Sequence, residues 1–198
     1  ANAKKLTYQT VNDETTAIVA LKAGNLDVMR GIKPKNFVDL PASQKFMENF
    51  NAYTPMMLAY SYLGLNTKPL KLSDKRTRQA LAHLVDVDKW NKTINYGFGQ
   101  RVTGSTPPSD KKNYAFDIVP YDYNLDKAKQ LLSEAGWKDS NGDGTLDMVI
   151  NGEKTDLKIE FIVNAGNDSR KQAALVFQEE ARKVGITVNV SSQDWSVY

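Results

Sequence analysis

Cysteine is absent from the 198 residues, and histidine occurs once, as His83. The first absence excludes thiol catalysis, cysteine-ligated zinc and disulfides. The second leaves a Ser-His-Asp triad or a histidine-rich metal site one residue to be built around. No apolar run approaches the roughly 20 residues that cross a bilayer as a helix. No secretory leader pattern opens the chain, which begins Ala1-Asn2-Ala3 without Met, as a processed or excised chain would. Charge of one sign is also missing: 26 Lys and Arg stand against 23 Asp and Glu, for a net +3. The densest basic stretch, residues 68–78, is broken by Pro69, Leu70, Leu72 and Asp74. A nucleic-acid footprint needs a basic stripe, so these charges read as solvated surface and no nucleic-acid partner is expected. What remains is ordinary globular material, 41% hydrophobic and 25% charged, enough for a core without disulfide or metal staples.

The chain alternates between strand and helix patterns. Residues 6–10 read as a strand, Asn12 as the cap of a helix carrying Ala17, Ile18, Ala20 and Leu21, and residues 26–29 as a second strand, a unit of the kind that builds parallel sheets. Pro34 and Pro41 punctuate one or two short helical turns over 34–47. Residues 49–54 and 57–66 follow as extended segments. The second is rich in Tyr and Leu on both faces, as a strand buried on both sides should be, so Tyr60 and Tyr62 are expected in the core. Ser73 is positioned to cap an amphipathic helix with the stripe Thr77, Ala80, Leu81, Leu84 and Val85. His83 falls off that stripe and is expected at the surface. Asp88 starts a short helix with Trp90 and Ile94, and residues 97–110 form a Gly- and Pro-rich loop. Asn124 caps a helix with the stripe Leu125, Ala128, Leu131, Leu132 and Ala135. Leu157, Ile159, Phe161 and Val163 alternate as a half-buried strand. Asp168 caps a helix carrying Ala173, Val176, Phe177, Ala181 and Val184, and Ile186, Val188 and Val190 make the next strand. The class is α/β, a mixed sheet with flanking helices. Residues 194–198 read as the middle of a protein.

Several stretches, in order, carry a resemblance. Ala20-Leu21-Lys22-Ala23-Gly24-Asn25-Leu26-Asp27 is a helix-to-strand turn. Leu65-Asn66-Thr67 leads into Ser73-Asp74-Lys75-Arg76-Thr77-Arg78-Gln79-Ala80-Leu81, and Val85-Asp86-Val87-Asp88-Lys89 follows. Residues 99–108 form a loop ending in Pro107-Pro108. Residues 123–137 contain Lys127-Ala128-Lys129-Gln130-Leu131-Leu132 and Glu134-Ala135-Gly136, and residues 172–190 close the set. These resemble family 5 extracellular solute-binding proteins, the dipeptide-, oligopeptide- and nickel-binding group. Two departures are visible: Thr103 and Gly104 stand where that family commonly has Pro-Ala, and Leu125 replaces its usual Pro.

The resemblance implies a lobe with the periplasmic-binding-protein (type II) fold. On that reading residues 1–198 are a single, partial lobe of a two-lobed receptor. It would feed an ABC importer, act outside the cytoplasm either in a periplasm or lipid-anchored at the cell surface, and work as a monomer with the permease subunits as its protein partners. The ligand implied is a peptide-like solute, with an oligosaccharide or a nickel chelate as alternatives. The family's W-x-x-D segment, which holds the peptide amino group, matches no position here. The residues expected to reach the cleft are Asn66 and the loop residues Gly104, Ser105, Thr106 and Pro107. Glycine permits close approach and the prolines keep the loop stiff. No enzymatic activity and no required cofactor are expected. A hydrolase is the rival class, and Asp143 and Asp147 would be its only pair, in a polar turn where nothing raises a carboxyl pKa.

One motif stands apart. Asp139, Asn141, Asp143, Thr145 and Asp147 occupy positions one, three, five, seven and nine of an EF-hand-like loop, with Gly144 at position six. Position twelve is Ile150, where a bidentate Glu belongs. The pattern therefore admits two readings, a weak structural calcium loop or a plain Asx-rich turn.

Overall fold

The computed structural model describes residues 3–197, which divide into two compact units, one ending at Pro55 and the other starting at Met56.

In the first unit, helix α1 (Glu14–Lys22) starts at Asp13, whose Oδ1 accepts the Thr16 N–H and hydroxyl, each at 2.7 Å. The cap is thus Asp13 rather than the expected Asn12. An ionised carboxylate at this end also meets the positive pole of the helix. The short helices α2 (Pro34–Phe37) and α3 (Gln44–Met47) appear where Pro34 and Ser43 start them. Leu21, Leu40 and Phe46 form a small core, lined by Ile18, Leu26, Met29, Ile32, Phe37 and Phe50. Phe46 and Phe50 stack with ring centroids 5.0 Å apart. The strands expected at 6–10, 26–29 and 49–54 do not form, and Leu6, Tyr8, Val28 and Tyr53 are exposed. A strand is defined by a ladder partner, and none of these segments has one among the described residues.

The second unit opens with another such correction. Residues 56–65, like 51–55 before them, form no strand and make no backbone hydrogen bond among the described residues. Tyr60 is largely exposed, Tyr62 is 77% exposed, and within 57–66 only Leu63 packs on the core. The core lies further along. After a 3-10 turn at Leu70–Leu72 comes α4 (Lys75–Ala82), capped by Asp74 through the Arg76 N–H at 2.7 Å. Ser73, the expected cap, instead donates its hydroxyl back to Leu70 O and closes the preceding turn. Arg76 and Arg78 donate to Glu134 O and to the carbonyls of Leu72 and Ser73, the helix-end contacts that their spacing allows. Helix α5 (Val87–Thr93) is capped by Asp86, not Asp88. Helix α6 (Leu125–Glu134) is capped by Asn124 as expected and packs its face of Ala128, Leu131 and Leu132 against α4. Between them the Trp137 indole N–H donates to Thr77 Oγ1 at 2.9 Å, with both residues buried.

His83 is buried, contrary to expectation. It is the C-cap of α4, where helical periodicity no longer governs. The segment before α6 crosses it: Asn124 N–H donates to His83 O at 2.9 Å, and the imidazole Nδ1 sits 2.9 Å from Asp122 O with Tyr121 edge-on.

The last quarter holds the sheets. Strands β1 (Asp147–Ile150) and β2 (Glu153–Asp156) form an antiparallel hairpin turned by Asn151 and Gly152, both at positive φ. Strands β3 (Lys158–Asn164) and β4 (Thr187–Gln193) pair in parallel from Lys158↔Thr187 to Asn164↔Gln193. Helix α7 (Asp168–Arg182), capped by Asn167 rather than the expected Asp168, connects them and packs on both. This is the strand-helix-strand unit that the alternating pattern predicts. Gly185 sits between α7 and β4 at φ +81, where a Cβ would lie 2.8 Å from Leu146 Cγ, so the turn and the close packing both require glycine. The fold is α/β, of helices and small sheets.

Candidate functional site

Two chain reversals build the loop of residues 99–108. Helix α5 ends at Thr93 with the buried Ile94 as its C-cap, and Tyr96 and Gly97 follow at positive φ. The chain then turns back on α5: Gly97 N–H donates to Asn91 O at 2.9 Å and Gly99 N–H to Asn91 Oδ1 at 2.8 Å. Further along, the Arg101 guanidinium donates to Tyr121 O, and Thr103 Oγ1 pairs with Tyr114 Oη at 3.2 Å. On the far side, Asp110 N–H donates to Pro107 O at 3.0 Å. The loop is therefore tied at its root and its return.

Its tip is different. Among the described residues, Gly104, Ser105 and Thr106 make no hydrogen bond through backbone or side chain. A Cβ added at Gly104 would meet open space. A rigidly held loop with unclaimed N–H, C=O and hydroxyl groups at its apex suits a ligand main chain. Asn66 has half its amide engaged, with Oδ1 accepting the Lys68 N–H at 3.1 Å. No hydrogen bond joins Asn66 to the loop among the described residues.

The Asp-rich loop lies apart, between α6 and β1. Asp139 accepts the N–H groups of Gly142 and Gly144 at 2.7 and 2.9 Å. Asp143 accepts from Thr145 N–H and the Asn141 amide, and those bonds, the backbone one foremost, hold its carboxyl below the usual range. Asp147 is buried, takes both the N–H and hydroxyl of Ser140, and pairs with Lys154 at 3.3 Å. The Ser140 backbone bond is the main reason that its pKa is lowered. Thr145 pairs its hydroxyl with Thr187 at 2.9 Å. These carboxylates are turned toward donors of the loop and hairpin, and position twelve is apolar Ile150. The loop is accordingly expected to hold its shape without a cation. A site half-filled by calcium would add ~0.4 kcal/mol, roughly 1–2 °C in Tm. Melting in calcium and in EDTA is expected to agree more closely than that, and a calcium-dependent rise would restore the metal reading.

One polar cluster escaped the sequence pattern. Glu180 on α7 is 1% exposed, and it accepts from Tyr123 Oη at 2.5 Å, Lys183 Nζ at 2.8 Å and Lys89 Nζ at 3.2 Å. Burial pushes its pKa up, but the three donors together outweigh burial and hold it low. Tyr123 is pushed up to about 12, first by desolvation and then by its bond to the Glu180 carboxylate. The cluster ties α5, the segment before α6 and α7 together. A Glu in register with the Phe177, Ala181 and Val184 stripe is the signal that could have found it.

A family profile described as bacterial extracellular solute-binding proteins, family 5 Middle, matches residues 1–198. The oligopeptide-binding protein AppA of Bacillus subtilis is 35% identical over 196 residues, which cover 96% of this chain and 34% of that protein. The nickel-binding periplasmic protein of Escherichia coli is 27% identical over 200 residues, covering 98% of this chain and 36% of that protein. The chain thus spans about a third of the length of these relatives. In structure, Bacillus subtilis AppA in complex with a nonapeptide matches with a TM-score of 0.73 and 35% identity over 94% of this chain and 36% of that one.

Proposed function

Because the chain belongs to the bacterial extracellular solute-binding proteins, family 5, we propose that it forms part of one lobe of a receptor that captures a peptide-like solute outside the cytoplasm for an ABC importer. The observation that carries the reading is the family match along the whole chain, joined by 35% identity to a protein named for oligopeptide binding. The fold is that of the type II periplasmic binding proteins. In such a receptor two lobes close about a hinge and bury the ligand between them. The loop tip at Gly104, Ser105 and Thr106 supplies hydrogen-bonding groups for a peptide main chain, with Pro107 stiffening it, and Asn66 supplies the free half of its amide. Main-chain recognition gives affinity and leaves side chains to pockets, so one receptor takes many sequences. The permease subunits of the importer are the protein partners, and the receptor works as a monomer in a periplasm or tethered at the cell surface.

The protein is a binder, not a hydrolase. Its relatives here are named for binding. A general acid needs a carboxyl held above its usual range, whereas Asp143 and Asp147 are both held below it by hydrogen bonds. The nickel-binding relative keeps a metal chelate as the second reading. Native mass spectrometry of the full-length parent protein distinguishes them by what co-purifies. A ladder of short peptides is expected. A metal chelate or a sugar in their place would overturn the peptide assignment and leave transport standing.

A further inference from the structure

The loop tip is held by something other than its own contacts. Between the Gly97 reversal and Arg101, Phe98 N–H donates to Asn95 O at 2.9 Å, and the Asn91 side chain reaches across to take the Gly99 N–H at 2.8 Å. Space is tight there: a Cβ at Gly99 would lie 2.7 Å from Asn91 Oδ1 and 2.9 Å from Asn95 Nδ2. The same residue takes Gly97 N–H on its carbonyl, so Asn91 grips both ends of the reversal. Helix α5 is itself fixed. Ile94 is buried, Trp90 packs on the core, and Lys89 is paired with Glu180 at 3.2 Å.

We propose that Asn91 is the positioning residue of the 99–108 loop, transmitting the fixed orientation of α5 to the ligand-facing tip. The inference rests on the reading that this tip faces the solute. Physically, the amide acceptor replaces a backbone carbonyl that the reversed chain cannot supply, and the absence of a side chain at Gly99 lets it approach. Without the bond, the segment between Gly97 and Arg101 gains freedom that ligand binding must then remove. The cost falls on affinity while the core is untouched.

The test uses the full-length parent protein. Asn91→Ala removes the acceptor, Asn91→Asp keeps it, and Gly99→Ala displaces it by bulk. Two quantities are read for each: amide hydrogen exchange across residues 97–108, and affinity for an unlabelled nonapeptide pool followed by tryptophan fluorescence. Asn91→Ala and Gly99→Ala are expected to speed exchange in the loop and weaken binding roughly threefold to tenfold, with Tm little changed. Asn91→Asp is expected to restore both readouts, whereas Asn91→Leu, which keeps the bulk without the acceptor, is not, a difference that a merely steric role would not produce. Unchanged exchange in Asn91→Ala overturns the positioning role. Gly104→Trp tests the underlying reading by itself, because the position opens into empty space. If Gly104→Trp leaves affinity intact, the tip does not face the ligand and the proposal falls with that reading. If Gly104→Trp abolishes binding while Asn91→Ala loosens the loop without weakening affinity, the reading stands and the proposal for Asn91 fails.

Discussion

Trp137→Ala is expected to destabilise the unit from Met56 onward by about 3–5 kcal/mol, lowering its Tm by roughly 10 °C or more. The side chain is 4% exposed and lies in the main core, between α6 and the start of the β1 region. Its removal opens a cavity among Leu, Ala and Val side chains that helices α4 and α6 cannot close without moving. The indole also carries a polar end, and Thr77 on α4 is its only hydrogen-bond partner among the described residues. Thr77→Val separates the two contributions. It keeps the volume, leaves the buried indole N–H unpaired, and is expected to cost about 1–3 kcal/mol. Urea unfolding of both variants, with unchanged m-values, measures the difference. A Trp137→Ala protein that melts within a few degrees of the parent would show that the α4–α6 contact is not the centre of the core.

Glu180→Ala is expected to cost about 2–3 kcal/mol, less than the 3–5 kcal/mol of a fully enclosed pair, because Lys89 and Lys183 are half exposed and can turn to water. The remainder comes from Tyr123, which loses its acceptor. Tyr123 also gives the cluster a signature at high pH. Its folded pKa of about 12 lies above the ordinary value of 10.0. Within that window the unfolded chain has lost the phenolic proton and the folded chain retains it. Stability is therefore full below about 10 and is lost as pH rises toward about 12. Glu180 has the opposite sign: its pKa is lowered, so its contribution is present above the unfolded carboxyl pKa and is lost as pH falls through the folded one. Tyr123→Phe is expected to remove its part of the alkaline limb and leave the acid limb in place. In Glu180→Gln, ultraviolet titration is expected to show Tyr123 ionising at lower pH, since the negative charge is gone and only a neutral amide oxygen is left to accept from the phenol. An alkaline limb unchanged in Tyr123→Phe would overturn its assignment to this phenol.

How far the sequence spoke depends on the range of the interaction. Helix α6 was legible because its cap, Asn124, and its apolar stripe agree on where the helix begins. Elsewhere two competent residues stand close together, Asn12 and Asp13, Ser73 and Asp74, Asp86 and Asp88, Asn167 and Asp168. The choice between them is made by the preceding turn, as where Ser73 closes the 3-10 segment and leaves Asp74 to cap. The β3–α7–β4 unit was legible for the same local reason, with alternation, a cap and a second alternation in sequence. The β1–β2 hairpin was missed although Asn151-Gly152 is a strong two-residue turn signal. The extended segments at 6–10, 26–29, 49–54 and 57–66 were misjudged for a different reason. Residue type says what suits a strand, but a strand exists only when another chain segment completes its hydrogen bonds. The candidate site was legible as a loop, through its glycines and prolines. The ties that hold it, Asn91 to Gly99 and Arg101 to Tyr121, are side-chain reaches that no spacing rule announces.

The open run at 51–65 has a consequence for how this stretch behaves when many copies meet. From Met56 to Thr67 it carries no charge and no proline, and it is dense in Met, Leu and Tyr. Among the described residues its backbone from 56 to 65 makes no hydrogen bond, and apart from Leu63 its large side chains are exposed. Such a stretch is a template for cross-β stacking between molecules. Pro55 on one side, with Lys68 and Pro69 on the other, bracket it as gatekeepers that limit how far an intermolecular ladder can spread. Intermolecular pairing of the isolated polypeptide at high concentration is therefore expected to draw on these twelve residues.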